Sequence, residues 1–180
     1  MDVKIRGLSF EDVPAVLAVQ HESPGAAQWS ESDYRRLAED PSGLILVAEM
    51  PDNIDPSGAG GRPTPDDTPR TTDGTRSAKV VGFAAFHRVL DEAELRNAAV
   101  LSRYRRRGVG RALLNQAHRE LRQLGVKTVY LEVRAGNVPA IHLYEAAGYL
   151  CRSIRKDYYR GPDEGALVMG VALIPLPERC

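Results

Sequence analysis

A chain of 180 residues is long enough for one domain with a sizeable core, and its 24 basic residues are balanced by 24 acidic ones. A nucleic-acid binder of this size usually carries a net basic domain, so zero formal charge speaks against nucleic acid as a partner. Two cysteines, Cys151 and Cys180, make no disulfide framework and fit a reducing compartment.

In chain order, VKIRGLS (3–9) reads as a short strand, and Ser9 followed by Asp12 forms the pattern of a capping box. The helix that follows is expected to bury Val13, Val16, Leu17 and the Gln20 side of its turn. Ser30 and Asp33 repeat the start signal for a second helix, and GLILVAEM (43–50) is a near-continuous apolar strand. The segment 51–78 is rich in Pro, Gly, Asp and Thr and poor in large apolar residues, so it reads as a flexible insertion within a single domain spanning 1–180. A substrate-facing lid is the alternative, because long loops in compact domains are often functional. Residues 79–90 and 91–100 read as two strands joined by a tight turn near Asp91 and Glu92. Val109, Leu113, Leu114, Ala117, Leu121 and Leu124 share one helical face, and Gly125 suits that helix's end. KTVYLEV (127–133) is a strand. Asn137, Pro139 and Gly148 then mark the cap, first turn and stop of another helix. Two strands follow, near YLCRSIRKDYY and ALVMGVAL. The order β-α-α-β-β-β-α-β-α-β-β describes a mixed α/β domain.

The four histidines are scattered, with no CxxC or HExxH spacing, so no metal site is expected. No apolar run reaches signal-peptide or membrane-spanning length, and the expectation is a cytoplasmic protein without a membrane partner.

RYRRRGVGRALL (103–114) sets five arginines around Gly108 and Gly110 and then turns apolar. Leu113 stands where a dinucleotide-binding fingerprint needs Gly or Ala, and no Lys-Ser/Thr pair follows as in a phosphate-binding P-loop. What remains is a strand, a glycine-bearing turn and a helix N-terminus, whose free N–H groups and dipole suit a diphosphate. On spacing alone a solvated basic turn is an equal reading.

The R-R-x-G-x-G run ending at Gly110, with the apolar helix after it, resembles the cofactor loop of the GNAT superfamily of N-acetyltransferases. LEVRAGNVPAIHLYEAAGY (131–149), IRKDYY (154–159), QWSE (28–31) and VLDEAELRNAAV (89–100) are similar to the RimI-type ribosomal-protein-alanine N-acetyltransferases. The likeness runs from near the N-terminus to about residue 173, interrupted by 51–78. It implies an α+β fold with a mostly antiparallel central sheet, flanked by helices and splayed into a V between parallel strands at 95–101 and 127–133. It also implies that acetyl-CoA lies in that splay. Ala98, Ala99 and Val100 would hold it through the strand backbone. Arg105, Arg106, Arg107, Gly108, Val109, Gly110 and Arg111 would hold the diphosphate, with Asn137 further along. Ser102 and Arg103 depart from the family's usual Pro and acidic residue, and Arg103 offers one more cation to phosphate.

The resemblance assigns the general base to Glu132 and the proton donor for the leaving thiolate to Tyr144. Glu132 lies between Leu131 and Val133. An apolar setting favours a carboxyl group that takes up protons near neutral pH. Pairing with an arginine or facing solvent is the competing reading, and for Tyr144 the competing reading is a packed core tyrosine. Freeing an α-amine at pH 7 costs about 1–1.4 kcal/mol, against about 4.6 kcal/mol for a lysine, so one carboxylate base is better matched to a protein N-terminus. Tyr158 and Tyr159 are expected to grip the first residues of such a substrate. The ribosomal acceptor follows from resemblance only. A lysine, polyamine or other small amine stays open, as does an acyl-CoA-binding module without catalysis. Oligomeric state is not legible.

Overall fold

A computed structural model describes residues 3–23, 25–51, 78–159 and 164–173. The strands are β1 (Lys4–Gly7), β2 (Gly43–Pro51), β3 (Ala78–Val89), β4 (Glu92–Val100), β5 (Thr128–Arg134), β6 (Leu150–Tyr159) and β7 (Glu164–Ala172). The helices are α1 (Val13–His21), α2 (Glu31–Glu39), α3 (Val109–Gln123) and α4 (Val138–Ala146). Order and type follow the sequence reading throughout.

Local chemistry sets the boundaries. Ser9 and Asp12 form a capping box around the short 3₁₀ turn Phe10–Asp12, which runs directly into α1. Ser30 and Asp33 form a second box at the start of α2. Gly125 and Gly148 follow α3 and α4 with φ of 84° and 90°, a region that favours glycine. In α1 the buried stripe is Val13, Val16, Val19 and Gln20; Leu17, expected in the core, sits at its border half-buried.

The seven strands form one sheet in the order β1-β2-β3-β4-β5-β7-β6, antiparallel except for β4 and β5. A parallel neighbour requires a crossover, and α3 supplies it. Val80–Phe86 in central β3 is buried at every residue, which requires both sheet faces to be covered. Helices α1, α2 and α3 pack on the β2–β4 region. Arg6 of β1 joins Asp12 (2.6 Å) and Glu49 of β2 (2.5 Å), tying the first strand to the turn ahead of α1. The expected insertion meets the sheet at both ends, where Pro51 pairs with Ala78; its residues 52–77 lie outside the described residues.

One irregularity shapes the site. Phe86 pairs with Leu95 but Ala85 pairs with Asn97, so Arg96 is an extra residue in β4. On the other edge, β4 and β5 pair only from Glu92↔Thr128 to Leu95↔Leu131. Both strands continue past that last rung without each other, which is the V-shaped splay.

Candidate active site

Beyond Leu95, β4 remains paired to β3 through Asn97, Ala98, Ala99 and Val100 while its other edge faces the opening. Backbone N–H and C=O groups on such an edge are ready to bond an extended amide-bearing ligand. A cavity of about 1060 Å³ fills the splay. The β4 wall of this cavity is Leu95–Val100; Tyr104, Arg105, Arg106 and Gly108–Arg111 close one end. Glu132–Arg134, Asn137, His142, Leu143 and Tyr144 contribute the β5–α4 side, and Ser23, Gly25, Ala26 and Ala27 the segment between α1 and α2.

The arginine turn is a helix N-terminus, as its sequence suggests. Gly108 caps α3 with φ of 80°, and the first-turn N–H groups of Val109, Gly110 and Arg111 have no acceptor within the helix. These groups and the helix dipole suit phosphate. Arg106 also takes a left-handed backbone, φ 60°, which costs a non-glycine residue about 1 kcal/mol or more. Gly110 lines the cavity as well, and a Cβ there would stand 2.8 Å from Leu143 Cδ2, so its bareness also leaves room for the α4 side chain.

The arginines divide. Arg106 and Arg111 line the cavity. Arg105 lines it too, but its Nε donates to the Val100 carbonyl (2.9 Å) and its Nη2 to Ser23 Oγ (3.3 Å), so this guanidinium braces the turn. Arg107 is half-buried outside the lining, and Arg103 lies over the Tyr104 ring and 3.9 Å from Glu22. Asn137 lines the groove while its Oδ1 accepts from Ala140 N–H at 3.3 Å, capping α4.

Glu132 projects from β5 on the face opposite buried Leu131 and Val133. Its setting is not the apolar one expected: Oε1 lies 3.1 Å from Arg155 Nη1. A second cavity, of about 330 Å³, is bounded by Val89, Glu92, Tyr130, Arg155 and Val168 among others, and Glu132 is the residue the two cavities share.

Tyr144 lines the larger cavity from α4, and burial pushes its hydroxyl up to about 12, so it is a proton donor at neutral pH. Its ring meets Tyr149 edge-on at 5.7 Å. The Tyr149 hydroxyl bonds His118 Nε2 of α3 at 2.9 Å; burial pulls His118 down to about 4, leaving it neutral. Tyr158 and Tyr159 end β6, with Tyr159 opposite Glu164, and their side chains lie outside the described residues.

Sequence reading missed Asn97, Ser23 and the 25–27 segment. The available signal was a lone amide at a buried position of an alternating strand. Among the described residues no group of His, Cys, Asp or Glu could hold a metal, and no helix is long and apolar enough to cross a membrane.

The model of the acetyltransferase (GNAT) family matches residues 15–149. The chain belongs to this family. It is 46% identical over 101 residues to the [ribosomal protein bS18]-alanine N-acetyltransferase of Escherichia coli (strain K12), an alignment covering 55% of this chain and 68% of that one. The Haemophilus influenzae protein of the same name is 43% identical over 98 residues, covering 53% and 66%. The crystal structure of the Escherichia coli ribosomal-protein-S18-alanine N-acetyltransferase superposes with a TM-score of 0.72 at 31% identity, covering 99% of both chains. Arabidopsis thaliana NAA60 in complex with acetyl-CoA shares the fold at 18% identity, TM-score 0.72, covering 95% and 98%. The protein is therefore an acetyl-CoA-dependent N-acetyltransferase.

Proposed function

We propose that this acetyltransferase modifies the α-amine of a protein N-terminus, with alanine of a ribosomal protein as the leading acceptor. The observation that carries this reading is Glu132 on the wall common to the two cavities. One cavity fits acetyl-CoA: it has an open strand edge and a helix N-terminus flanked by Arg106 and Arg111. The other admits the amine. The relatives named for alanine acetylation support the acceptor class.

Acetyl-CoA supplies an acetyl thioester, which an uncharged amine attacks directly. Glu132 takes the proton from the incoming ammonium. Arg155 holds that carboxylate at the junction of the cavities. Tyr144 gives its hydroxyl proton to the departing sulfur. A thiolate whose thiol has a pKa of about 8.5 is a weaker base than the phenolate of a tyrosine at about 12, so this transfer is uphill, and the second proton that the amine nitrogen loses as the amide forms restores the Tyr144 hydroxyl. The first-turn amides of α3, with Arg106 and Arg111, anchor the diphosphate.

The test is incubation with acetyl-CoA and a panel of peptides: free N-termini starting with Ala, Ser or Met, and N-blocked peptides containing lysine. Mass spectrometry should find one acetyl group on the α-amine, fastest for alanine. Acetylation confined to lysine side chains or to added polyamine would overturn the acceptor assignment while leaving the enzyme class intact.

A further inference from the structure

A proton donor works only if its O–H points at the atom that receives the proton. Among the described residues no group hydrogen-bonds the Tyr144 hydroxyl, so the packing of its ring sets where it points. Tyr149 is the aromatic ring that meets it, 5.7 Å away with the planes at 60°. Main chain ties the same two residues, because the Tyr149 N–H donates to the Tyr144 carbonyl at 3.0 Å. Tyr149 is 1% exposed and follows Gly148, whose φ of 90° turns the chain out of α4 toward β6.

Tyr149 is held in turn from α3. Its hydroxyl bonds His118 Nε2 at 2.9 Å, and the two ring centroids lie 5.5 Å apart with the planes at 43°. Burial, with the nearby Tyr144 hydroxyl as a lesser cause, pushes the Tyr149 hydroxyl well above its ordinary value, and His118 is neutral, so the pair carries no charge. An aliphatic side chain facing a phenylalanine would fill the same space. A buried hydrogen bond adds little net stability over such an apolar pair. What it adds is a fixed distance and direction between α3 and the ring beneath Tyr144. Helix α3 also carries the first-turn amides proposed for the diphosphate, so the helix that would anchor the cosubstrate also indexes the donor.

We propose that His118 and Tyr149 are positioning residues for proton donation: their hydrogen bond fixes the Tyr144 ring so that its hydroxyl faces the departing sulfur. Both are buried and neither lines either cavity, so they act through Tyr144 and not on substrate. The step they serve is the one in which the Tyr144 O–H bond breaks and the S–H bond forms. This rests on the reading of Tyr144 as the donor. The pair should therefore set the rate of the chemical step and leave the binding of both substrates to other groups.

Tyr149→Phe deletes one oxygen, His118→Leu removes the other partner, and His118→Gln keeps an amide able to bond the Tyr149 hydroxyl. Each is compared with wild type in a single turnover, at saturating acetyl-CoA and whichever amine wild type acetylates, so that product release does not hide the chemical step. Tyr149→Phe and His118→Leu should slow that step about tenfold, part of the roughly 10²–10⁴ that a positioned acid supplies. Both KM values should stay within about threefold, and His118→Gln should recover most of the rate. The deciding measurement repeats the set in a Tyr144→Phe background. There Tyr149→Phe and His118→Leu should cost nothing more, because the group they position is gone. Equal losses with and without the Tyr144 hydroxyl would overturn the proposal. So would wild-type rates in both folded variants, or loss of the folded state in both by circular dichroism, which would make the pair a core stabiliser. The donor reading has its own result: a wild-type rate in Tyr144→Phe alone removes the donor and this proposal with it. A slow Tyr144→Phe with additive losses keeps the donor and removes only the pair.

Discussion

The two ends of the active-site groove are built from different materials. The end proposed to hold the diphosphate is main chain: a strand edge, a left-handed Gly108 and the open first turn of α3. The chemistry proposed for the apex depends on single side chains, Glu132 with Arg155, and Tyr144. Backbone groups persist through most substitutions, whereas each side chain is one mutation from loss. Chemistry should therefore be fragile, and cosubstrate binding robust.

The sharpest break should come at the apex. Glu132→Gln keeps size and removes the proposed base, so kcat should fall by about 10²–10⁴ with acetyl-CoA affinity little changed. The loss should shrink as pH rises and the amine arrives already neutral. A pH–rate series from 6 to 9 reads this, and near-wild-type rates across the range would remove Glu132 from the mechanism.

Beneath Tyr144 the support is again a side-chain pair, and it makes stability pH-dependent. His118 is held neutral, its folded value of about 4 lying below the usual 6.5. Between those values the unfolded chain binds the proton and the folded chain does not. The contribution is therefore complete above pH 6.5 and declines as pH falls toward 4, by up to about 3 kcal/mol. Urea unfolding at stepped pH checks it; His118→Gln should flatten that slope.

Robustness at the other end is measured by removing charges. Arg106→Ala with Arg111→Ala should weaken acetyl-CoA binding by about 10–100-fold in calorimetry, because the amides and dipole remain. A complete loss would mean that the arginines, not the main chain, form the cradle.

Gly110→Ala gives the smallest shift. It should cost about 1–3 kcal/mol of stability by crowding Leu143, and Leu143→Ala beside it should recover part of that. Lost acetyl-CoA affinity at unchanged stability would instead mark Gly110 as a contact of the phosphate.

What the sequence disclosed tracks the same division. Both capping boxes, the glycine stops and the arginine turn lie within a few consecutive residues, so their chemistry is visible in short quotations. The partners of Asn97 are 63–77 residues away, and Arg105 reaches Ser23 across 82. Nothing local marks Arg105 as a brace while its neighbour Arg106 lines the groove. The Arg155 that meets Glu132 sits in the edge strand, and only the sheet order β5-β7-β6 brings the two within reach. The splay itself is a failure of pairing, a property of two strands together that neither contains.

That failure of pairing leaves the molecule as two half-sheets, β1–β4 and β5–β7, joined by four residue pairs. A ligand lodged in the gap completes the missing rungs and so counts among the forces that fold the chain. By mass action, a ligand at a hundred times its dissociation constant adds about 2.7 kcal/mol, a sizeable share of an ordinary domain's margin. Added acetyl-CoA should then raise the unfolding midpoint of the chain.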